Sequence, residues 1–281
     1  MATISSAGIG SGINVESLIS SLMSLEKRPI TNLQTRQSSF ESKISALGTI
    51  KSAVATLQTA ARLTHWVCEN AKSTRAYLKR IDALYPLALS LQQQQVTELP
   101  REVHKKGDHG DKGSAPFDAR PLLAAALNGQ DVGLVSEAGM PAVADPGSSV
   151  VRAAHDLGLR VVPLVGPVSL LLALAASGLN GQNFAFVGYL PQDGQERTQR
   201  IKELEGLALR TGQTQLFIET PYRNPALWQA LVQTLQPHTR LALAGGLTLP
   251  DARVQSQLVR QWKQQPAPPD NRTPVVFALG R

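Results

Sequence analysis

The densest run of residues able to do chemistry is Ser136-Glu137-Ala138-Gly139-Met140-Pro141-Ala142-Val143-Ala144-Asp145-Pro146-Gly147. Glu137 or Asp145 could serve as a general base, a role that needs a carboxylate tuned toward the working pH, and both read equally as residues that hold the loop together. Gly139 and Gly147 let the backbone approach a ligand, and Pro141 and Pro146 stiffen the turn. Asp145 either accepts hydrogen bonds from a ligand or caps the helix that follows, so the loop alone reads equally as a ligand site and as a structural turn. A second turn, Gly166-Pro167, leads to Ser169 and another helix. Further on stand Gly188-Tyr189-Leu190-Pro191 and Phe217-Ile218-Glu219-Thr220-Pro221-Tyr222-Arg223. There Arg223 either binds a phosphate or pairs with Glu219, and the ion pair is the simpler reading.

These motifs need elements to hold them. Residues 65–69 (HWVCE) read as a short strand, Lys72–Leu84 as a helix and Leu87–Leu91 as a second strand. Residues 100–118 are polar, charged and Gly-containing, the composition of a mobile surface loop. Asp118–Asn128 reads as a helix with Asp118 at its start and Gly129 at its end. Asp131–Ser136 then reads as a strand, Ser149–Leu157 as a helix closed by Gly158, and Arg160–Leu164 as another strand. Strands and helices alternate, and the strands are apolar runs, as in a parallel α/β sheet covered on both faces. In such sheets ligands bind beyond the carboxyl ends of the strands, where the Ser136–Gly147 loop falls.

Composition narrows the classes. The chain has 281 residues, 42% hydrophobic and 17% charged, which excludes wholesale disorder and suits about two domains. A net charge of +7 fits an anionic partner such as RNA and equally a plain soluble surface. Cys68 is the sole cysteine, so an internal disulfide is excluded. His65, His104, His109, His155 and His238 are scattered without zinc-type spacing, and no metal is expected. The opening MATISSAGIGSG lacks the form of a cleaved signal peptide. Val161–Gln192 is free of charge but broken by Pro163, Gly166, Pro167, Gly178 and Gly181. Its longest clean piece, about ten residues, cannot cross about 30 Å of hydrocarbon, so no membrane partner is expected.

Residues 1–63 follow a different grammar. Leu18, Leu22 and Leu25 precede Pro29, and then Leu33, Phe40, Leu47 and Val54 recur every seven residues. That period is coiled-coil logic, weakened by Gly48, and an ordinary amphipathic surface helix is the other reading. The strings SSAGIGSGI and QSSFESKISALGTIKSA resemble the N-terminus of the flagellar filament cap (hook-associated protein 2) family. The resemblance implies a helical segment that packs with neighbouring subunits and carries an export route to the flagellum.

From about residue 64 to 281, the strings SEAGMPAVADPG, PLVGP, GYLP and ETPYR resemble the tetrapyrrole methylase superfamily. The nearest branch is the ribosomal RNA small subunit methyltransferase I family. This implies an α/β fold of two subdomains, 64–165 and 166–281, with parallel-rich sheets and S-adenosylmethionine as cofactor in the cleft between them. The segment 1–63 would precede them as an α-helical, coiled-coil-like extension. By the same resemblance Ser136, Ala138, Gly139, Pro141, Asp145, Pro146, Gly147, Gly166, Pro167 and Ser169 hold the cofactor. The acceptor would be a ribose 2′-hydroxyl of rRNA, the location cytoplasmic, and a homodimer a further expectation.

Two departures stand out. The family opens with an apolar strand and a Pro/Gly turn, central in its first sheet; residues 1–63 have no such form, so unpaired strand edges are expected. At Ala242–Thr248 the relatives carry Arg-Glu where this chain has Gly245-Gly246, which removes a charged pair near the substrate cleft. The change of family at Ala61–Thr64 reads as the join of a fusion. Three functions compete: a methyltransferase module, a cap-like structural protein acting through 1–63, and a degenerate methylase with neither activity.

Overall fold

The computed structural model describes residue 23 and residues 54–100, 103, 117–137 and 139–281. The heptad positions Leu33, Phe40 and Leu47, most of 100–118, and Ala138 lie outside the described residues. Residues 54–62 are helical, with Val54 exposed. The chain divides into two compact units, 1–59 and 60–281. The second carries both sheets.

The first sheet has three parallel strands in the order β2-β1-β3. β1 (His65–Cys68) is the middle strand; His65 pairs with Gln95 of β2 (Gln95–Glu98) and with Val132 of β3 (Val132–Val135). Apolar Trp66, Val67 and Cys68 fill the central position and are buried. The expected strand at Leu87–Leu91 does not form. The polar run Gln95–Glu98 pairs instead, because an edge strand is largely solvated and tolerates polar residues. The indole of Trp66 donates to Oε1 of buried Gln94 at 3.0 Å, which fixes where that strand begins.

Helices cover the sheet where capping chemistry starts them. α1 (Ala71–Asp82) begins at Asn70, whose side chain accepts from the amides of Lys72 and Ser73 at 2.9 and 3.2 Å. A 3-10 turn at Arg120–Leu123 runs into α2 (Ala124–Leu127), with Asp118 accepting the Arg120 amide at its start. α3 (Ser148–Asp156) follows β3 and ends near Gly158, at φ +69°. Val67, Leu99, Leu123, Val150 and Ala153 close the core between them.

The expected strand at Arg160–Leu164 is also absent. Among the described residues nothing pairs with it, and Val161, Val162, Leu164 and Val165 stand 37–68% exposed. No described strand precedes β1, and the outer edge of β3 has no ladder partner either. A parallel strand is stable only when a neighbour satisfies its amides and carbonyls. With no described strand between β3 and this segment, an apolar run suited to burial stays exposed to solvent.

The second sheet has five strands in the order β4-β5-β8-β6-β7. β4 (Phe184–Tyr189) and β5 (Thr214–Glu219) are parallel; β8 (Val275–Gly280), β6 (Arg240–Gly245) and β7 (Arg253–Leu258) continue antiparallel. α4 (Ser169–Ser177) lies on one face through Leu170, Ala173 and Leu174, while Leu171 and Leu172 are exposed, so it is half-buried rather than a core helix. α5 (Gly194–Thr211), α6 (Asn224–Thr234) and α7 (Val259–Gln264) pack on the other face. Phe217 stacks on Phe277 at 5.8 Å, and Trp228 meets Trp262 edge to face at 6.3 Å. Among the described residues no helix is long and apolar enough to cross a membrane, and no group of acidic, His and Cys side chains could hold a metal ion.

Candidate functional site

The loop from Ser136 to Gly147 leaves the carboxyl end of β3 and is fastened to the end of β1. Glu69, one residue past β1, donates its amide to the Val135 carbonyl at 3.3 Å. Its carboxylate oxygen Oε2 accepts the Glu137 amide at 3.0 Å. Inside the loop the chain doubles back, with the Ala142 amide on the Pro146 carbonyl and the Val143 amide on the Met140 carbonyl. Gly139 lies at φ +86° and Gly147 at φ +134°, which their missing Cβ permits. Ala142 and Ala144 also take left-handed conformations, at φ +65° and +64°, each disfavoured by about 1–2 kcal/mol for an L-residue. Strain of this kind persists only where its surroundings enforce it, and it concentrates at ligand clamps.

Asp145 is the electrostatic focus. Burial pushes its carboxyl up to about 6; the negative charge of Glu69 and, more weakly, Glu137 adds to the rise. The Ser136 hydroxyl opposes the shift without meeting the geometry of a regular hydrogen bond, since its buried oxygen lacks a partner among the described residues. α3 starts at Ser148 with Gly147 in the capping position, two residues after Asp145. Pro141 and Pro146 are partly buried around it, whereas Glu137 and Gly139 face solvent. Gly166, Pro167 and Ser169 are exposed at the turn into α4. The position of Ala138 lies outside the described residues.

The other wall comes from the ends of β4 and β5. Glu219 is buried and pairs with Arg223 at 2.7 Å, as the simpler sequence reading expects. Arg223 Nε also donates to Thr220 Oγ1 at 3.1 Å, so its guanidinium is held on two sides. Tyr189, the last residue of β4, feels both walls. Its phenol is pushed above the ordinary value by partial burial, then by Glu219 and Asp145, with Arg223 opposing. At the Gly245-Gly246 departure, Gly246 adopts φ +61° and donates its amide to the Pro274 carbonyl, a geometry that disfavours a side chain there.

Sequence reasoning missed Glu69 as a member of this site. Its partner lies 68 residues away and no local motif marks it. Of the basic residues on α5, Lys202 is exposed, whereas Arg197 and Arg200 are half-buried; Arg197 Nη1 donates to the Gln192 carbonyl at 3.2 Å and Arg200 pairs with Glu203 at 3.2 Å.

Parallel strands with a strained loop at their carboxyl ends, and charged groups from the loop and from the second sheet that both act on Tyr189, define an α/β protein. The chain belongs to the tetrapyrrole methylase family: the family described as Tetrapyrrole (Corrin/Porphyrin) Methylases matches residues 50–261. Residues 11–83 also match the flagellar hook-associated protein 2 N-terminus. The two matches overlap over 50–83, where the structure places β1 and α1 within the sheet-bearing unit.

Curated relatives named ribosomal RNA small subunit methyltransferase I include one from Mesorhizobium japonicum, 38% identical over 52% of this chain and 45% of its own length. The Vibrio cholerae relative is 32% identical over 59% and 54%, and that of Leptospira biflexa 30% identical over 65% and 65%. The chain spans about half the length of the first of these relatives. Among solved structures, the methyltransferase CobJ covers 78% of this chain and 94% of its own at 18% identity, with a TM-score of 0.44.

Proposed function

We propose that residues 60–281 bind S-adenosylmethionine between the Ser136–Gly147 loop and the ends of β4 and β5. The reaction is methyl transfer to a ribose 2′-hydroxyl of small-subunit rRNA. The observation that carries this reading is the strained loop that holds Asp145, its carboxyl pushed up to about 6 and its charge reaching Tyr189 at the end of β4. The donor set suits the cofactor. Glu69, Glu137 and Asp145 complement a ligand with sulfonium and ammonium charges, and the orphaned Ser136 hydroxyl offers a hydrogen bond.

The cofactor supplies an activated methyl group, so the protein's work is to orient the acceptor and exclude water. A ribose hydroxyl is a weak nucleophile, and a carboxylate titrating near 6 is suited to accept its proton. Asp145 therefore takes the role of base; Glu137 supports it by charge. Ser136, Ala138, Gly139, Pro141, Pro146 and Gly147 would shape the cofactor side, with Gly166, Pro167 and Ser169 across the turn into α4. The subdomain division at 165/166, a homodimeric state and a cytoplasmic location belong to the same reading. The test is transfer of labelled methyl from S-adenosylmethionine to small-subunit rRNA by the full chain. Label on a 2′-hydroxyl that vanishes in Asp145→Asn supports the reading; label that persists in the variant removes Asp145 as base.

A second reading rests on the match of residues 11–83 to the flagellar family. In it the chain is exported and assembles with flagellar proteins through residues 1–63. It requires concentration-dependent oligomers by gel filtration, and a monomer at high concentration overturns it.

A further inference from the structure

Two tyrosines stand in solvent at the ends of β4 and β5. Tyr189 is 58% exposed and Tyr222 is 70% exposed. Single exposed aromatics need no explanation, but these two share one end of one strand pair. Tyr189 pairs with Ile218 in the β4–β5 ladder, and Tyr222 lies in the turn that directly follows β5. Both therefore sit at the carboxyl ends of parallel strands, the side where α/β sheets take ligands.

Arg223 completes the group. Its guanidinium carbon lies 5.5 Å from the Tyr222 ring centroid. Nη2 is taken by Glu219 and Nε by Thr220, whereas Nη1 has no hydrogen-bond partner among the described residues. The pair with Glu219 fixes the fork in place, and the remaining nitrogen is available to an anion. Tyr189 connects the group to the loop, since its hydroxyl lies within the electrostatic reach of Asp145, Glu219 and Arg223.

We propose that Tyr189, Tyr222 and Arg223 form the docking platform for one unpaired nucleotide of the acceptor RNA. The base stacks on an exposed tyrosine ring, and a phosphate oxygen accepts from Arg223 Nη1. This rests on the methyl-transfer reading and adds to it the class of RNA taken: a loop, bulge or single strand. Bases inside a duplex are already stacked on both sides and cannot offer a face to a side chain, whereas unpaired bases can. Three side chains around a crevice suit a nucleotide. They fall far short of the roughly 800 Å² per partner that a stable protein interface buries.

The test uses the full chain with a short fluorescein-labelled single-stranded RNA, the same RNA in a duplex, and S-adenosylhomocysteine titrated calorimetrically. Tyr222→Ala and Tyr189→Ala remove exposed rings, so their folding is checked by thermal melting, and Tyr222→Phe keeps the stacking face. The platform predicts that wild type prefers the single strand and that at least one alanine variant weakens it about 10- to 100-fold, the measure of one lost base–aromatic stack. Tyr222→Phe should bind as wild type, and cofactor-product binding should stay unchanged in the two Tyr222 variants. Equal RNA affinity in wild type and both alanine variants, or equal affinity for duplex and single strand, overturns the platform. Binding of S-adenosylhomocysteine without any RNA binding overturns the platform alone. Ring-dependent RNA binding without S-adenosylhomocysteine binding supports the platform and overturns methyl transfer.

Discussion

Glu69 holds the amide of Glu137 at 3.0 Å and at the same time raises the proton affinity of Asp145. One carboxylate thus performs two separable tasks: it anchors the loop after β3, and its charge biases the candidate base. Glu69→Gln keeps an acceptor for the amide and removes the charge. Carbon-detected NMR titration should show Asp145 in this variant titrating below the wild-type value of about 6. An unchanged Asp145 titration would show that burial alone sets the shift.

Asp145 itself carries a pH signature. Its ordinary value is 3.8 and its folded value about 6, so between these the folded state holds a proton that the unfolded chain has released. Stability therefore falls as pH rises from about 4 to 6, and the loss persists above that range. Asp145→Asn removes this loss. Urea unfolding at pH 7.5 should find the variant more stable by about 1 kcal/mol, a figure reduced for solvent screening at a half-buried group, with little difference at pH 4. An equal change at both pH values would show a packing effect instead.

Gly133 in β3 lies against Trp66 so closely that a Cβ would stand 2.6 Å from Cε3 of the indole and 2.8 Å from Leu63 Cδ1. The indole is held by Gln94 and cannot simply rotate away. Gly133→Ala should destabilise the chain by about 1–3 kcal/mol through overpacking. Thermal or urea unfolding checks it, and a variant as stable as wild type would mean that Trp66 shifts freely.

Much of the frame was legible in the sequence. β1, β3 and the helices read at Lys72–Leu84 and Ser149–Leu157 fall where apolar runs and glycines indicate, and the Glu219–Arg223 pair has the spacing of one turn. Two strands were misread for one physical reason: strand formation depends on a neighbour's ladder as much as on local composition. Gln95–Glu98 is polar yet pairs with β1, whereas Arg160–Leu164 is apolar yet has no ladder partner among the described residues. The motif loop was visible as a string, but its tether to Glu69 and the left-handed turns at Ala142 and Ala144 arise only from the folded chain.

The unpaired segment makes its own prediction. Val162 is 55% exposed, so Val162→Asp should change stability by no more than about 0.5 kcal/mol, and amides 160–165 should exchange rapidly with solvent. Slow exchange, or a loss of several kcal/mol in Val162→Asp, would show that this run is covered by a strand partner.

The central claim is a cofactor crevice centred on Asp145. Its most direct test is calorimetric titration of S-adenosylmethionine and S-adenosylhomocysteine into the folded full chain at pH 5 and pH 7.5. The two ligands differ by the sulfonium charge, which an ionised Asp145 attracts. The account predicts micromolar binding of both ligands, with the preference for S-adenosylmethionine growing toward pH 7.5 as Asp145 loses its proton. No heat from either ligand, with the protein shown to be folded, would contradict it.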